Sequence, residues 1–153
     1  MRLALQTDYA LRTLIYLATN PGRGNVGKVA SFFQISKDHV AKVVQALVRL
    51  GYLHSIRGVG GGIELKLQPE EIRIGQVIRD LEGTTHMLEC VGTDNLCVIQ
   101  PSCKLKTVLT QAENVMMDYL QDVRLADVLP PQGRLIPVVL TTADALAPLP
   151  TDH

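Results

Sequence analysis

Residues 52–67 read Tyr52-Leu53-His54-Ser55-Ile56-Arg57-Gly58-Val59-Gly60-Gly61-Gly62-Ile63-Glu64-Leu65-Lys66-Leu67. Tyr52 to Ile56 reads as one strand. Ile63, Leu65 and Leu67 alternate with Glu64 and Lys66, the period of two that marks a second, half-buried strand. Arg57 and a glycine-rich turn lie between them. The stretch therefore predicts a β-hairpin with a glycine tip and one arginine at its base. A nucleotide-binding glycine loop would need a helix N-terminus directly after the glycines, and here a strand follows.

Working back from the hairpin, Val26, Val29, Ala30 and Phe33 form a helical i, i+3, i+4, i+7 stripe. A tight turn at Gln34-Ile35-Ser36 follows. Ser36 is placed to cap another helix, whose inner stripe is Val40, Val43, Val44 and Leu47 and whose end is Gly51. Two helices joined by so short a turn make a helix-turn-helix, and the hairpin behind it makes a winged helix.

The outer face of that third helix aligns Asp38, Lys42, Gln45 and Arg49, with Lys37 and His39 near its start. Such side chains can reach phosphates and base edges if the helix enters a major groove. Lys28 and Ser36 join this candidate DNA-binding set. So do Arg57, suited to a narrow minor groove, and Gly58, Gly60 and Gly61, which let backbone approach phosphates closely. A solvated charged face is the bland alternative for an isolated helix. Net charge is zero overall, yet residues 1–68 carry nine Lys/Arg against three acids, a net +6, and residues 69–153 carry a net −6. Only the first half suits a polyanion.

At 153 residues and 46% hydrophobic residues, the chain can bury one sizeable core. No stretch is long and apolar enough to span a membrane. The N-terminus runs straight into a helix and does not read as a signal peptide, so the chain is expected to be cytoplasmic. That helix spans residues 8–19, with Thr7 as N-cap and Leu11, Leu14, Ile15 and Ala18 facing inward. Asp8 lies in its first turn, where a carboxylate interacts well with the helix dipole.

All three cysteines fall in one stretch, at Cys90, Cys97 and Cys103. Gly92, Asp94-Asn95 and Pro101 make it a loop. If Pro101 and Ser102 open the following helix, Cys103 lies in its first turn, where the dipole favours a thiolate. A disulfide would leave one cysteine over and is rare inside cells. Structural zinc sites usually show tighter Cys pairs. An iron–sulfur cluster tolerates this spacing but takes four ligands. Three ordinary thiols remain the plain alternative.

Ile74, Val77, Ile78 and Leu81 predict a helix closed by Gly83. After Cys103 a long stripe follows, through Leu105, Val108, Leu109, Ala112, Val115, Met116 and Tyr119. A helix of about five turns with such a seam suits pairing with a second copy, with packing onto its own domain as the plain alternative. Leu125 to Leu129 read as one more helical turn. Five of the eight prolines lie from Pro130 onward, so the tail is expected to be loose, although Leu135 to Leu140 could dock. The expected fold is mostly α with a small β-hairpin wing. Its parts are a winged helix-turn-helix DNA-binding domain over 1–83, a cluster-binding loop over 84–103, a dimerisation helix over 104–129 and a loose tail over 130–153. No Ser/His/Asp arrangement or paired carboxylates point to an enzyme.

Together, Thr7-Asp8-Tyr9-Ala10-Leu11-Arg12, the wing from Arg57 to Gly62, Ile74-Gly75-Gln76-Val77-Ile78-Arg79-Asp80-Leu81-Glu82-Gly83 and the cysteine loop with its long helix resemble the NsrR/IscR family of winged-helix iron–sulfur transcription regulators. The resemblance covers about residues 1–130. IscR-like members carry a histidine three positions after the last cysteine, where this chain has Lys106. NsrR-like members, which sense nitric oxide, are similar to this chain in the aspartate at Asp8.

The resemblance implies a homodimeric repressor on a pseudo-palindromic double-stranded DNA operator, with nitric oxide as its signal. It further implies an iron–sulfur cluster, 4Fe-4S with 2Fe-2S as the alternative, held by Cys90, Cys97 and Cys103, with Asp8 supplied by the partner subunit. The first cysteine spacing is longer than usual for the family, which leaves His86, Glu89 and Asp94 as alternative ligands. Other readings are a redox- or iron–sulfur-status sensor of the same family, a zinc- or thiol-based regulator, and a small electron carrier. An electron carrier would not need the basic helix face or the wing.

Overall fold

A computed structural model of the chain describes residues 3–83, 86–94, 97–131, 133, 135 and 136. Among these residues six α-helices and two strands follow in the order α1 (Leu5–Thr19), α2 (Val26–Phe33), α3 (Lys37–Arg49), β1 (Leu53–Ile56), β2 (Gly62–Leu65), α4 (Ile74–Glu82), α5 (Glu89–Gly92) and α6 (Lys104–Asp122). Short 3-10 turns occupy Gln100–Ser102 and Leu125–Val128. The chain is mostly helical with one antiparallel hairpin, as its sequence predicts.

Helix α1 starts earlier than its local signals predict. Thr7, expected as the N-cap, is fully buried inside the first turn, and Ala4 takes the cap position with no side-chain cap. The Ala4 N–H instead donates to Glu82 Oε1 at 2.7 Å. A carboxylate from the end of α4 thus provides the negative charge that a helix N-terminus favours. That partner lies 78 residues away in sequence.

The helix-turn-helix forms where the hydrophobic stripes place it. Asn25 caps α2 by accepting the Lys28 N–H at 2.8 Å, and Ser36 caps α3 by accepting the Asp38 N–H at 3.3 Å. Between them Gln34 adopts a left-handed conformation (φ 54°), and the Ile35 N–H returns to the Ala30 carbonyl at 2.9 Å. This is a helix C-terminus closed by a residue at positive φ, a place more often given to glycine. Gly51 (φ 87°) closes the end of α3 in the usual way.

The hairpin pairs Leu53 with Leu65, His54 with Glu64, Ser55 with Ile63 and Ile56 with Gly62. A third segment joins it. Gly24 and Ile63 exchange both backbone hydrogen bonds at 2.9 Å, so the wing is fastened to the α1–α2 connection.

Leu14, Val29, Val40, Val43, Leu47 and Leu53 form a core that also takes in Ile72, Val77, Met117 and Leu125. Helix α6 is therefore part of the packed body. Its C-terminal end is tied back by Ile74 N–H to the Val123 carbonyl (2.9 Å) and Leu125 N–H to the Ile72 carbonyl (2.8 Å). Met117 faces inward, and Met116 and Leu120 pack against the core. On α6, Leu105, Val108, Val115 and Tyr119 stay exposed, so the expected apolar seam divides between two faces. Leu135 packs partly against the core. The expected loose tail otherwise falls largely on 137–153, outside the described residues.

Candidate DNA-reading face and cysteine loop

Lys28, Ser36, Lys37, Asp38, His39, Lys42, Gln45 and Arg49 are all exposed, so the outer face of α3 is free of intramolecular cover. The His39 ring lies 6.1 Å from that of Tyr9, beside the start of α3. Arg57, Gly58 and Gly60 are exposed on the wing, and Val59 stands fully open at its tip.

The wing glycines divide by cause. Gly58 (φ 93°) and Gly60 (φ 77°) hold backbone that other residues adopt with strain. Gly61 is half-buried, and a Cβ there would collide with the carbonyl oxygens of Ile56 and Gly58. Its lack of a side chain serves the turn, which narrows the sequence-based reading of it as a phosphate approach.

Sequence reasoning passed over Arg23. Its Nη1 donates to the Gly60 carbonyl at 2.6 Å, across 37 residues. The flanking glycines in Gly22-Arg23-Gly24 were the available signal. A single bridge, however, leaves no periodicity to detect.

The cysteine stretch is more structured than a loop reading implies. Glu89–Gly92 forms one helical turn that includes Cys90, and the Gln100–Ser102 turn carries Pro101. Cys103 is the N-cap residue of α6 and not a member of its first turn, because the chain closes a 3-10 turn first: the Cys103 N–H bonds the Gln100 carbonyl at 3.3 Å. Gln100 Nε2 donates to the carbonyls of Thr93 (2.6 Å) and Cys90 (3.1 Å), joining the two turns. All three cysteines are free thiols; Cys97 is exposed and the other two half-buried.

Three hydrogen bonds among the described residues fix this segment to α6. His86 Nδ1 lies 2.9 Å from Glu113 Oε2, and the Met87 N–H donates to Glu113 Oε1. Burial alone would raise the Glu113 carboxyl, but the hydrogen bonds from His86 and Met87 hold it below the ordinary carboxylate value. Lys106 Nζ meets Asp94 Oδ1 at 2.8 Å, and this hydrogen bond and the lysine charge lower Asp94. Asp8 is held by Arg12 Nε at 2.9 Å on a partly exposed face of α1.

Cys90, Cys97 and Cys103 thus share one segment. Among the described residues, however, no three His, Cys, Asp or Glu side chains converge as a metal site within the single chain. Their chemistry still fits a cluster: three unpaired thiols are soft donors, the ligand type iron–sulfur centres take.

A model of the Rrf2 family, described as "Iron-dependent Transcriptional regulator", matches residues 3–131. The chain belongs to the Rrf2 family. The HTH-type transcriptional regulator NsrR of Bacillus subtilis (strain 168) is 45% identical over 130 residues, covering 83% of this chain and 89% of the relative. Its namesake in Bacillus licheniformis is 41% identical over 138 residues, covering 88% and 96%.

Among solved structures, CymR (YrzC), the global cysteine regulator of B. subtilis, superposes with a TM-score of 0.67 at 25% identity, covering 84% of this chain and 95% of that one. T. potens IscR, at 22% identity and a TM-score of 0.65, shares the fold. This Rrf2 chain is an NsrR-like, DNA-binding transcription regulator, and no helix among its described residues is long and apolar enough to cross a membrane.

Proposed function

We propose that this Rrf2 protein is an iron–sulfur transcriptional repressor that senses nitric oxide, binds a pseudo-palindromic operator as a homodimer and releases it on exposure to the gas. The observation that carries the reading is the set of three free thiols on one segment ending at the N-terminus of α6. Cys90, Cys97 and Cys103 would hold the cluster, 4Fe-4S in the favoured form and 2Fe-2S in the alternative, with Asp8 of the partner subunit as fourth ligand. When bound, the cluster supplies iron that takes up nitric oxide. Asp8 is suited to its part because it is partly exposed and because a hard carboxylate oxygen binds iron weakly and exchangeably.

The chain's own residues would read DNA in a division of labour. Lys28, Lys37, Lys42 and Arg49 neutralise phosphates, while Gln45 and His39 can donate to base edges. Asp38 can accept from a cytosine amino group. Arg57 and the tip residues Gly58 and Gly60 enter the flanking minor groove. Two copies would space their recognition helices about one turn of duplex apart, roughly 34 Å. Because Asp8 begins α1 of one subunit and the thiols belong to the other, loss of the Asp8 link would let the two reading heads shift.

Protein purified without air tests the reading. Iron and acid-labile sulfide in stoichiometric amounts, with absorbance and Mössbauer signals altered by nitric oxide, support it. Cluster signals that respond to oxidants but not to nitric oxide would favour redox sensing. A colourless protein holding zinc, or no metal, refutes the cluster.

A further inference from the structure

We propose that Arg23 is a positioning residue for DNA binding: it latches the wing tip to the helix-turn-helix and so sets the angle at which Arg57 and Val59 meet the minor groove. The inference rests on the reading that the wing contacts DNA.

A two-stranded hairpin is marginal by itself, and its tip would sweep a range of angles relative to α3. Three contacts in this protein oppose that motion. The first is the pair of hydrogen bonds between Gly24 and Ile63, which adds a third backbone segment beside the start of β2. The second is close packing of the same segment on Gly62, where a Cβ would collide with the Gly24 carbonyl oxygen and lie 3.3 Å from the Arg23 Cβ. The third is the Arg23 guanidinium on the Gly60 carbonyl at 2.6 Å, a short charge-assisted bond.

The first two hold β2 at Gly62 and Ile63, where the strand leaves the turn, and the third holds the turn itself. Gly60 is exposed and at positive φ, so the chain there has no side chain of its own with which to lock the turn. Arg23 itself is exposed and is not part of the core, which means the bond is not needed to bury it. Val59, fully exposed between Gly58 and Gly60, is the residue whose direction this bond controls. An apolar side chain there is of the kind minor-groove proteins press against base steps. A wing fixed before encounter spares the ordering entropy that a loose one would lose on binding.

Direct phosphate contact by Arg23 is the competing role, and the two differ in measurable ways. The probe is a duplex selected from a random-sequence pool by the air-free, full-length wild-type protein. Arg23→Ala and Arg23→Met both remove the donor, and the second keeps the aliphatic stem over Gly62. Both are expected to bind the duplex about tenfold more weakly with an unchanged salt slope, and to exchange the Gly61 amide, which donates to the Gly58 carbonyl at 2.9 Å inside the turn, faster in the absence of DNA.

A salt slope reduced by about 0.9 with unchanged Gly61 exchange would mean a lost phosphate contact and would overturn the latch. Wild-type affinity in both variants would overturn it as well. Arg57→Ala is the control for the underlying reading: it should weaken binding and reduce the salt slope by about one. Wild-type behaviour of Arg57→Ala would remove the wing from the interface, whereas a weakened Arg57→Ala beside intact Arg23 variants would remove only the latch.

Discussion

His86 Nδ1 lies 2.9 Å from Glu113 Oε2, and the same carboxylate accepts the Met87 N–H. A carboxyl held below its ordinary value is an acceptor only, so the proton in this pair sits on Nδ1. The pair fixes the entry of the cysteine segment to the middle of α6. Glu113→Leu removes both acceptor oxygens, and loss of a buried acceptor costs about 1–3 kcal/mol, a rise in local opening of roughly five- to 150-fold. In metal-free protein, Cys90 should then react correspondingly faster with iodoacetamide, while Glu113→Gln, whose single oxygen can still accept the Met87 N–H but not the His86 Nδ1–H as well, falls between the two. Equal alkylation rates in wild type and Glu113→Leu would show that the clamp does not govern the segment.

Where α4 crosses α6, a Cβ on Gly75 would lie 2.6 Å from the Gln121 nitrogen and 2.9 Å from its Cα. These are backbone atoms near the C-terminal end of α6, where the Ile74 N–H bonds the Val123 carbonyl, and they cannot rotate aside. Gly75→Ala is therefore expected to lower stability by about 1–3 kcal/mol, although alanine is the better helix former. Urea unfolding checks this, and a variant as stable as the wild type would show that α6 can retreat.

The contrast between Gly75 and Cys103 shows what the sequence disclosed. Helical stripes such as Val40, Val43, Val44 and Leu47 report burial directly, because a period of 3.6 maps onto one face, and the Ser36 cap and the Gly51 ending are local chemistry. The long-range partners had no such signature. Ala4 with Glu82, Arg23 with Gly60 and His86 with Glu113 are single contacts over 78, 37 and 27 residues, and only folding brings them together. Helix α6 begins at Lys104 with Cys103 as its N-cap, and Pro101, a residue able to open a helix, belongs here to the turn before it. Of the site, the exposed α3 face and the shared cysteine segment were legible, and the clamps that position them were not.

Tyr52 gives an alkaline signature. Burial, then its 2.6 Å hydrogen bond to Asp80 Oδ2, then the aspartate charge, push the phenol above its ordinary value near 10. Because the native value is raised, this stabilisation is fully present below about pH 10 and fades as pH rises above it, where the unfolded chain gives up the proton first. Tyr52→Phe should cost about 1.5–3 kcal/mol near neutral pH through the lost bond to a charged acceptor. The gap in melting temperature between the two proteins should narrow from pH 9 to pH 11. A constant gap across that range would contradict the assignment.

The outward face of α6 carries Leu105, Val108, Val115 and Tyr119, which are 57, 58, 71 and 70% exposed. They recur at spacings of three, seven and four, which keeps them on one stripe, opposite the Met117 side that enters the core. An apolar stripe of this length left open in one chain is suited to a second copy of the same helix. Val115→Asp leaves the core untouched, so the monomer fold and its circular dichroism should be retained. In a two-fold pair the substitution strikes twice, and forfeiting about 1.5–3 kcal/mol of burial per copy loosens association by roughly a hundredfold or more. Light scattering should report monomer mass for Val115→Asp under conditions where the wild type is dimeric, with operator binding weakened because the half-sites are then read singly. A Val115→Asp protein that keeps dimer mass would place the interface elsewhere.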